Sequence, residues 1–249
     1  MKLESLIENR EMSHGVNINT LSLIELQKKV IRTYEFKDET EIEMIDRFAI
    51  LILDEVSEFL NEKDTKEENL FEFTDIILYL GSILSTIEER FEDMYGVSFK
   101  EYTEDMLFPI DGRNYTTSVT RKSYMNKSIS CREFIGKITV SEVVKCLFEN
   151  IRSNYPERKY HKKYEELDKS SKMNRTIQTF NSIRKCIAVL INNAIVLELP
   201  FEDKGDYLDF TKFETIEFSD ETVENYSNRL EEYILKKAEI VKNRIDNGY

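Results

Sequence analysis

Tryptophan is absent, and glycine and proline are scarce, at 7 and 3 in 249 residues. So few turn-formers exclude a chain of many tight hairpins and favour long helices with few breaks. Positive charge is short as well. Lys and Arg number 35 against 48 Asp and Glu, and the net charge is −13. Such a field repels a phosphate backbone, so duplex nucleic acid is not an expected partner. An anionic small molecule remains compatible with it where metal ions bridge the two. Cys131, Cys146 and Cys186 are odd in number, far apart and form no C-x-x-C, which argues against a disulfide framework or a zinc knuckle. No apolar run reaches the length of a membrane span. The nearest, residues 187–199, is interrupted by Asn192, Asn193 and Glu198 and is too short to cross a bilayer. The opening MKLESLIENREMSHG lacks the apolar core of a signal peptide. The expectation is a cytoplasmic protein that engages no membrane.

What is present is 41% hydrophobic and 33% charged, as in soluble globular chains. The reading is one all-α domain over residues 1–249, with irregular insertions near 94–130 and 155–175. Apolar residues at helical period predict helices over 22–35, 41–61, 70–92, 130–154, 176–199 and 220–246. In the second, Ile42, Ile45, Phe48, Ala49, Ile52, Val56, Phe59 and Leu60 step by threes and fours. The third is apolar around most of its first four turns, as a helix buried on several sides would be. A short polar turn, EKDTKEEN, joins these two. They are therefore expected to be antiparallel neighbours at the centre of a helical bundle.

That third helix contains LFEFTDIILYL, residues 70–80, in which Glu72 and Asp75 are the only ionisable acids or bases between residues 69 and 85. Three residues apart, they lie about 60° from one another on a helix. A carboxylate in an apolar setting costs several kcal/mol unless a cation compensates it. The preceding helix carries LDEVSEFLN, with Glu55 and Glu58 at the same spacing. Laid side by side, E-x-x-E and E-x-x-D bring four carboxylates together. Without metal they repel and some take up protons; with Mg²⁺ they are hard oxygen ligands for a hard ion. Mg²⁺ keeps positions open for water and substrate phosphates, which suits hydrolysis of a nucleoside triphosphate. Glu55 or Glu58 then also serves as the base that takes a proton from water. The other interpretation of the acids is a solvated face for Glu55 and Glu58, and salt bridges to Lys or Arg from elsewhere for Glu72 and Asp75.

Other chemistries find less support. Glu11 and His14 form a single E-x-x-H, where a di-iron bundle needs two. Neither a P-loop, a dinucleotide-binding glycine fingerprint nor a serine elbow is present.

E-x-x-E followed by E-x-x-D on consecutive helices resembles the all-α nucleoside triphosphate pyrophosphatases, which include MazG-type enzymes and dimeric dUTPases. LDEVSEFLN and EFTDIILYL are similar to the two acidic helices of the dimeric dUTPase branch. LQKKV, with Gln27, resembles its N-terminal segment, whose glutamine helps hold the nucleotide. YILKKAEIVKNRIDNGY is similar to its late motif, K-N-x-x-N-x-x-R-Q-x-x-G-Y. Lys237 and Arg244 fall on that motif's lysine and arginine, while Ala238, Val241 and Ile245 depart from it. The resemblance implies a homodimeric, Mg²⁺-dependent hydrolase that splits a nucleoside triphosphate between its α- and β-phosphates. It implies metal ligation by Glu55, Glu58, Glu72 and Asp75. It also implies phosphate binding by Lys237 and Arg244, and base or sugar contact by Gln27. dUTP is the leading substrate, with dCTP or a broader dNTP range as the alternative. The rival from another class is a silent nucleotide sensor or protein-binding helical protein of the same fold. Lys237 and Arg244 are two turns apart on one face, which suits either phosphate binding or the ordinary pairing of cations with a helix C-terminus. Asn247 and Tyr249 suit either a cap or a nucleotide contact.

Overall fold

The computed structural model describes residues 27, 39–61, 66–99, 129–153, 155, 166–198 and 207–208. Near the C-terminus it describes 232–234, 236, 237, 239, 240, 243, 244 and 247. Apart from one two-residue strand pair, the described chain is helical. Helix α1 spans Glu41–Asn61 and α2 spans Lys66–Tyr95. Helix α3 spans Cys131–Val144 and runs on as a π-helix over Lys145–Arg152. Helix α4 spans Lys169–Glu198. Strands β1, Ile129–Ser130, and β2, Tyr207–Leu208, pair antiparallel, with Ile129 opposite Leu208. Residues 232–244 include a further helical stretch. No helix among the described residues is long and apolar enough to cross a membrane.

The α1 sequence begins with a capping box. Thr40 Oγ1 accepts from the Glu43 amide at 3.4 Å, and the Glu43 carboxylate accepts from the Thr40 amide at 2.7 Å. Two amides that the helix itself leaves unsatisfied are thereby paired. From there Ile45, Phe48, Ile52, Val56 and Phe59 form one buried stripe. Helix α2 is the central element. Phe73, Ile76, Ile77, Leu80, Ile83, Leu84 and Ile87 are all fully buried, and each contributes about 1.5–3 kcal/mol of hydrophobic stabilisation. It packs against both α1 and α4. Phe59 meets Phe73 edge-on at 5.0 Å and Phe48 stacks on Tyr79 at 6.2 Å. At the far end, Glu41 takes an ion pair from Arg90 Nε at 3.2 Å and a hydrogen bond from the Tyr155 hydroxyl. Helix α2 ends at Gly96, whose φ of 68° is a left-handed conformation suited to glycine, and whose amide reaches Glu92 O at 2.9 Å.

Several boundaries differ from the sequence reading, for local reasons. Helix α2 begins at Lys66, four residues before the expected start, because the polar KEEN of the turn joins the helix. Helix α4 begins seven residues early because Asp168 caps it: the Ser171 amide donates to Asp168 Oδ1 at 2.8 Å. Residues 169–175, assigned to an irregular insertion, are therefore helical. The hydrogen bonds that Ser171 donates hold Asp168 below the usual aspartate range. The expected helix over 130–154 is present, but its second half is π-helical. There Ser153 Oγ donates to Phe148 O, five residues back, at 2.8 Å, and Cys146, Leu147 and Ile151 all reach the core. Helix α3 approaches α1 closely at Gly136, where a methyl group would come within 3.1 Å of Leu60 Cδ2 and 3.5 Å of Phe59 Cε1. The expected helix over 22–35 and most of the insertion near 94–130 lie outside the described residues, except Gln27 and residues 94–99 and 129–130.

The capping box sets a measurable term. Thr40→Ala is expected to lower unfolding free energy by about 1 kcal/mol, while Thr40→Ser retains most of it. Urea denaturation followed by circular dichroism checks this, and an unchanged midpoint for Thr40→Ala would refute it.

Candidate metal centre

One aromatic contact sets the register of the acids. Glu58 immediately precedes Phe59, and Glu72 immediately precedes Phe73. The ring contact between those phenylalanines brings the acidic segments of α1 and α2 level. Glu55 and Glu58 each adjoin a buried residue, Val56 or Phe59, and so stand on the shoulder of the α1 stripe. One carboxylate oxygen from each of Glu55, Glu58 and Glu72 lies within 4.8 Å of the other two. Burial is graded across them. Glu72 is 7% exposed, Glu55 is half-buried and Glu58 is exposed.

The electrostatics follow from that crowding. The Glu55 carboxyl is pushed above the usual range, first by burial and then by the charges of Asp75 and Glu58. Its hydrogen bond with Glu72 and the Lys237 charge oppose the shift. Asp75 is also pushed up, again chiefly by burial, with Glu58 adding to it; Lys237 and Arg244 pull the other way. Burial therefore outweighs the salt bridge at Asp75.

The three glutamates fit Mg²⁺. Oxygens on opposite sides of an octahedral Mg²⁺ are about 4.2 Å apart and neighbours closer, so a triad within 4.8 Å needs only small side-chain rotations to close. All donors are hard carboxylate oxygens, and the exposure of Glu58 leaves room for water and a phosphate beside it.

Asp75 lies outside this triad. Its Oδ2 takes an ion pair from Lys237 Nζ, the partner type that the salt-bridge interpretation of the acids foresaw. Lys237 reaches it because Ile234, one turn earlier, is buried in the main core. Arg244 is exposed, and its charge is felt at Asp75. Asn247 acts as a cap: its side-chain amide donates to Asn243 O at 2.6 Å and its backbone amide to the same oxygen at 3.1 Å. Tyr249 lies outside the described residues. Gln27 is buried, and its Oε1 accepts from Ser82 Oγ at 2.9 Å. Ser82 also lies 3.2 Å from Leu78 O. The sequence reading did not single out Ser82. Its signal was position: seven residues past Asp75, it shares that residue's face of α2.

The raised carboxyls give a signed pH dependence. Folded pKa values above the unfolded ones mean that the native state binds more protons. Their stabilising contribution is complete below the unfolded carboxylate pKa and is lost as pH rises through the folded values. In metal-free buffer, Glu55→Gln, which keeps a hydrogen bond to Glu72, is therefore expected to melt higher than the native protein at pH 7. The gap should close as pH falls to about 4. Added Mg²⁺ should raise the native melting temperature and leave that of Glu55→Gln nearly unmoved. Calorimetry over a pH series decides it, and a variant less stable at pH 7 would contradict the account.

Comparison with family models, with curated proteins and with solved structures returns no match.

Proposed function

We propose that this protein is a Mg²⁺-dependent nucleoside triphosphate pyrophosphohydrolase built on an antiparallel helix pair bearing E-x-x-E and E-x-x-D. The observation that carries the reading is the convergence of Glu55, Glu58 and Glu72 within 4.8 Å. Glu72 is buried with two further carboxylates beside it, a crowding that a bound cation would offset. When bound, Mg²⁺ supplies neutralisation of phosphate charge and acidification of a coordinated water.

The chain's own residues divide the remaining work. Glu72, fixed in α2 and largely buried, is the immobile ligand. Glu58, exposed, is the ligand free to swing as a triphosphate arrives. Glu55, half-buried and near both, is the carboxylate assigned to receive a proton from the attacking water. Attack at the α-phosphorus breaks the α–β bridge and releases a nucleoside monophosphate and pyrophosphate. Arg244, exposed within electrostatic reach of Asp75, is placed to meet outer phosphate oxygens with its planar fork. Gln27, whose partner Ser82 lies two turns along α2 from Asp75, is the residue that the family resemblance suggests for base or sugar contact. dUTP is the leading substrate, with dCTP or a broader dNTP range next. A homodimer in the cytoplasm is the assembly and compartment that the family resemblance suggests.

Incubation with each canonical nucleotide and dUTP in the presence of Mg²⁺, with pyrophosphate as the readout, tests the proposal. Turnover of at least one deoxynucleotide is expected. Glu72→Ala and Glu55→Gln should each reduce kcat by at least about 100-fold, the upper end of what even outer-shell groups of metal sites contribute. No pyrophosphate from any nucleotide, or full activity in Glu72→Ala, would reject it.

A further inference from the structure

Cys146 and Cys186 are buried nucleophilic groups that the candidate metal centre does not use. Both are free thiols, each 2% exposed and part of the main core. They come from different elements. Cys146 lies in the first turn of the π-helical segment, and Cys186 lies in α4, which packs against that segment. The Cys186 thiol reaches Glu142 O at 3.8 Å. Glu142 is four residues before Cys146, so its carbonyl points along the helix toward the turn that carries Cys146. The two thiols also share a side-chain hydrogen bond. Two residues far apart in the sequence thus meet sulfur to sulfur.

Packing alone does not call for this pairing. A buried cysteine ordinarily acts as a small apolar filler and has no need of a second one. A soft-metal site is not formed either. Among the described residues only these two sulfurs converge, the oxygen beside them is a helix carbonyl, and such ions take four ligands. The hydrogen bond with Cys146, together with burial, pushes the Cys186 thiol well above its usual range, so it stays protonated and unreactive while covered. What the pair does possess is the first requirement of a disulfide, two sulfurs in contact. Bonding then needs them to close to about 2.05 Å. The winding changes from α to π at Lys145, next to Cys146, and a small shift of that junction turns Cys146 without moving α4.

We propose that Cys146 and Cys186 form a redox-sensitive staple, which a small peroxide oxidises to a disulfide that ties the π-helical segment to α4. The inference is independent of the reading of the glutamates as metal ligands. One sulfur attacks the O–O bond, becomes a sulfenic acid and leaves a first water; the second sulfur displaces the hydroxyl as a second water. The two thiols give up two electrons, and the peroxide is reduced to two waters. A small dithiol reverses the step by exchange and is itself oxidised to a disulfide. Because both sulfurs are covered, oxidation waits on local opening of the segment, and the bond then holds the segment closed.

Cys131→Ser in the full-length chain leaves only these two thiols. Treating the folded variant with excess hydrogen peroxide, then titrating thiols in denaturant and mapping unreduced peptides, tests the proposal. Both thiols should disappear together, with a mass loss of two hydrogens and a peptide joining residues 146 and 186. The melting temperature should rise by about 5 °C or more, because the bond closes a long loop, and dithiothreitol should return it to its starting value. Adding Cys146→Ser or Cys186→Ser should abolish both the link and the rise. The native three-thiol chain, read by the same peptide map, keeps the test decisive if Cys131→Ser folds poorly. Survival of both thiols while free glutathione in the same tube is consumed overturns the staple. So does oxidation to sulfinic acid without a 146–186 link, a link that forms only in unfolded protein, or a complete link that leaves the melting temperature unmoved.

Discussion

The arrangement depends on the burial of Glu72. In α2 this carboxylate is flanked by Phe73, Ile76 and Ile77, all without solvent contact. It cannot swing into water without leaving the helix register that those residues impose. Its charge must therefore be met where it stands, by proton sharing or by a cation. Glu55 meets it by the first route, through the hydrogen bond between the two carboxyls. Burial keeps the Glu55 carboxyl above the usual range against that hydrogen bond, which leaves the site receptive to a counter-charge. The acidity of the site is thus a consequence of packing: the apolar contacts of α2 fix the carboxylate, and the carboxylate then calls for a partner.

Much of the remaining structure keeps α1 and α2 from sliding. A shift of one residue would carry Glu55 and Glu58 about 100° around α1, away from Glu72. The Phe59–Phe73 contact fixes the register at the acidic end. The Glu41 carboxylate, held by Arg90 and Tyr155, fixes it at the other end of the pair. Gly136 lets α3 press onto Phe59 and Leu60 from behind. Helix α4 packs along α2, and its Phe180 meets Phe99, just past the end of α2, in a tilted ring contact at 4.1 Å. Hydrogen bonds from α4 to neighbouring backbone, such as Thr179 Oγ1 to Asn150 O at 3.2 Å, satisfy polar groups next to that core.

The helices and the three glutamates were legible because they rest on local pattern. The apolar period of residues 41–61 reproduces α1 at both ends. The isolation of Glu72 in an apolar run marked it as a residue needing a partner, and the matched spacing of Glu55 and Glu58 named that partner. What escaped has a different physical origin. The π-helical half of residues 130–154 differs from an α-helix by one residue per turn, and a hydrophobic pattern that tolerates both threes and fours does not distinguish them. The early start of α4 depends on Asp168 acting as a cap within a polar stretch that carries little apolar signal. The Lys237–Asp75 pair joins residues 162 positions apart, and no periodicity encodes a tertiary contact of that kind. Spacing alone left metal and salt bridge open for both Glu72 and Asp75, and at Asp75 the partner is Lys237.

The gradient of exposure across the site gives it a direction. Glu72 lies innermost, Glu55 is half-covered, Glu58 faces water, and Arg244 stands exposed beyond Asp75. Among the described residues, a ligand approaching from the Glu58 side meets water-exposed charges before it meets buried ones. On the proposed reading, that order has a chemical consequence. The net charge of −13 opposes a free triphosphate at long range, and at 0.15 M salt this opposition fades beyond about 8 Å. Inside that distance the local balance governs, and it is set by the ions on the glutamates together with Lys237 and Arg244. On that reading, a triphosphate carrying its own divalent ion has about half its charge neutralised before it arrives, whereas a bare one meets the carboxylates with all of it. On the proposed reading, the same acidic surface would favour the metal-complexed form of a triphosphate.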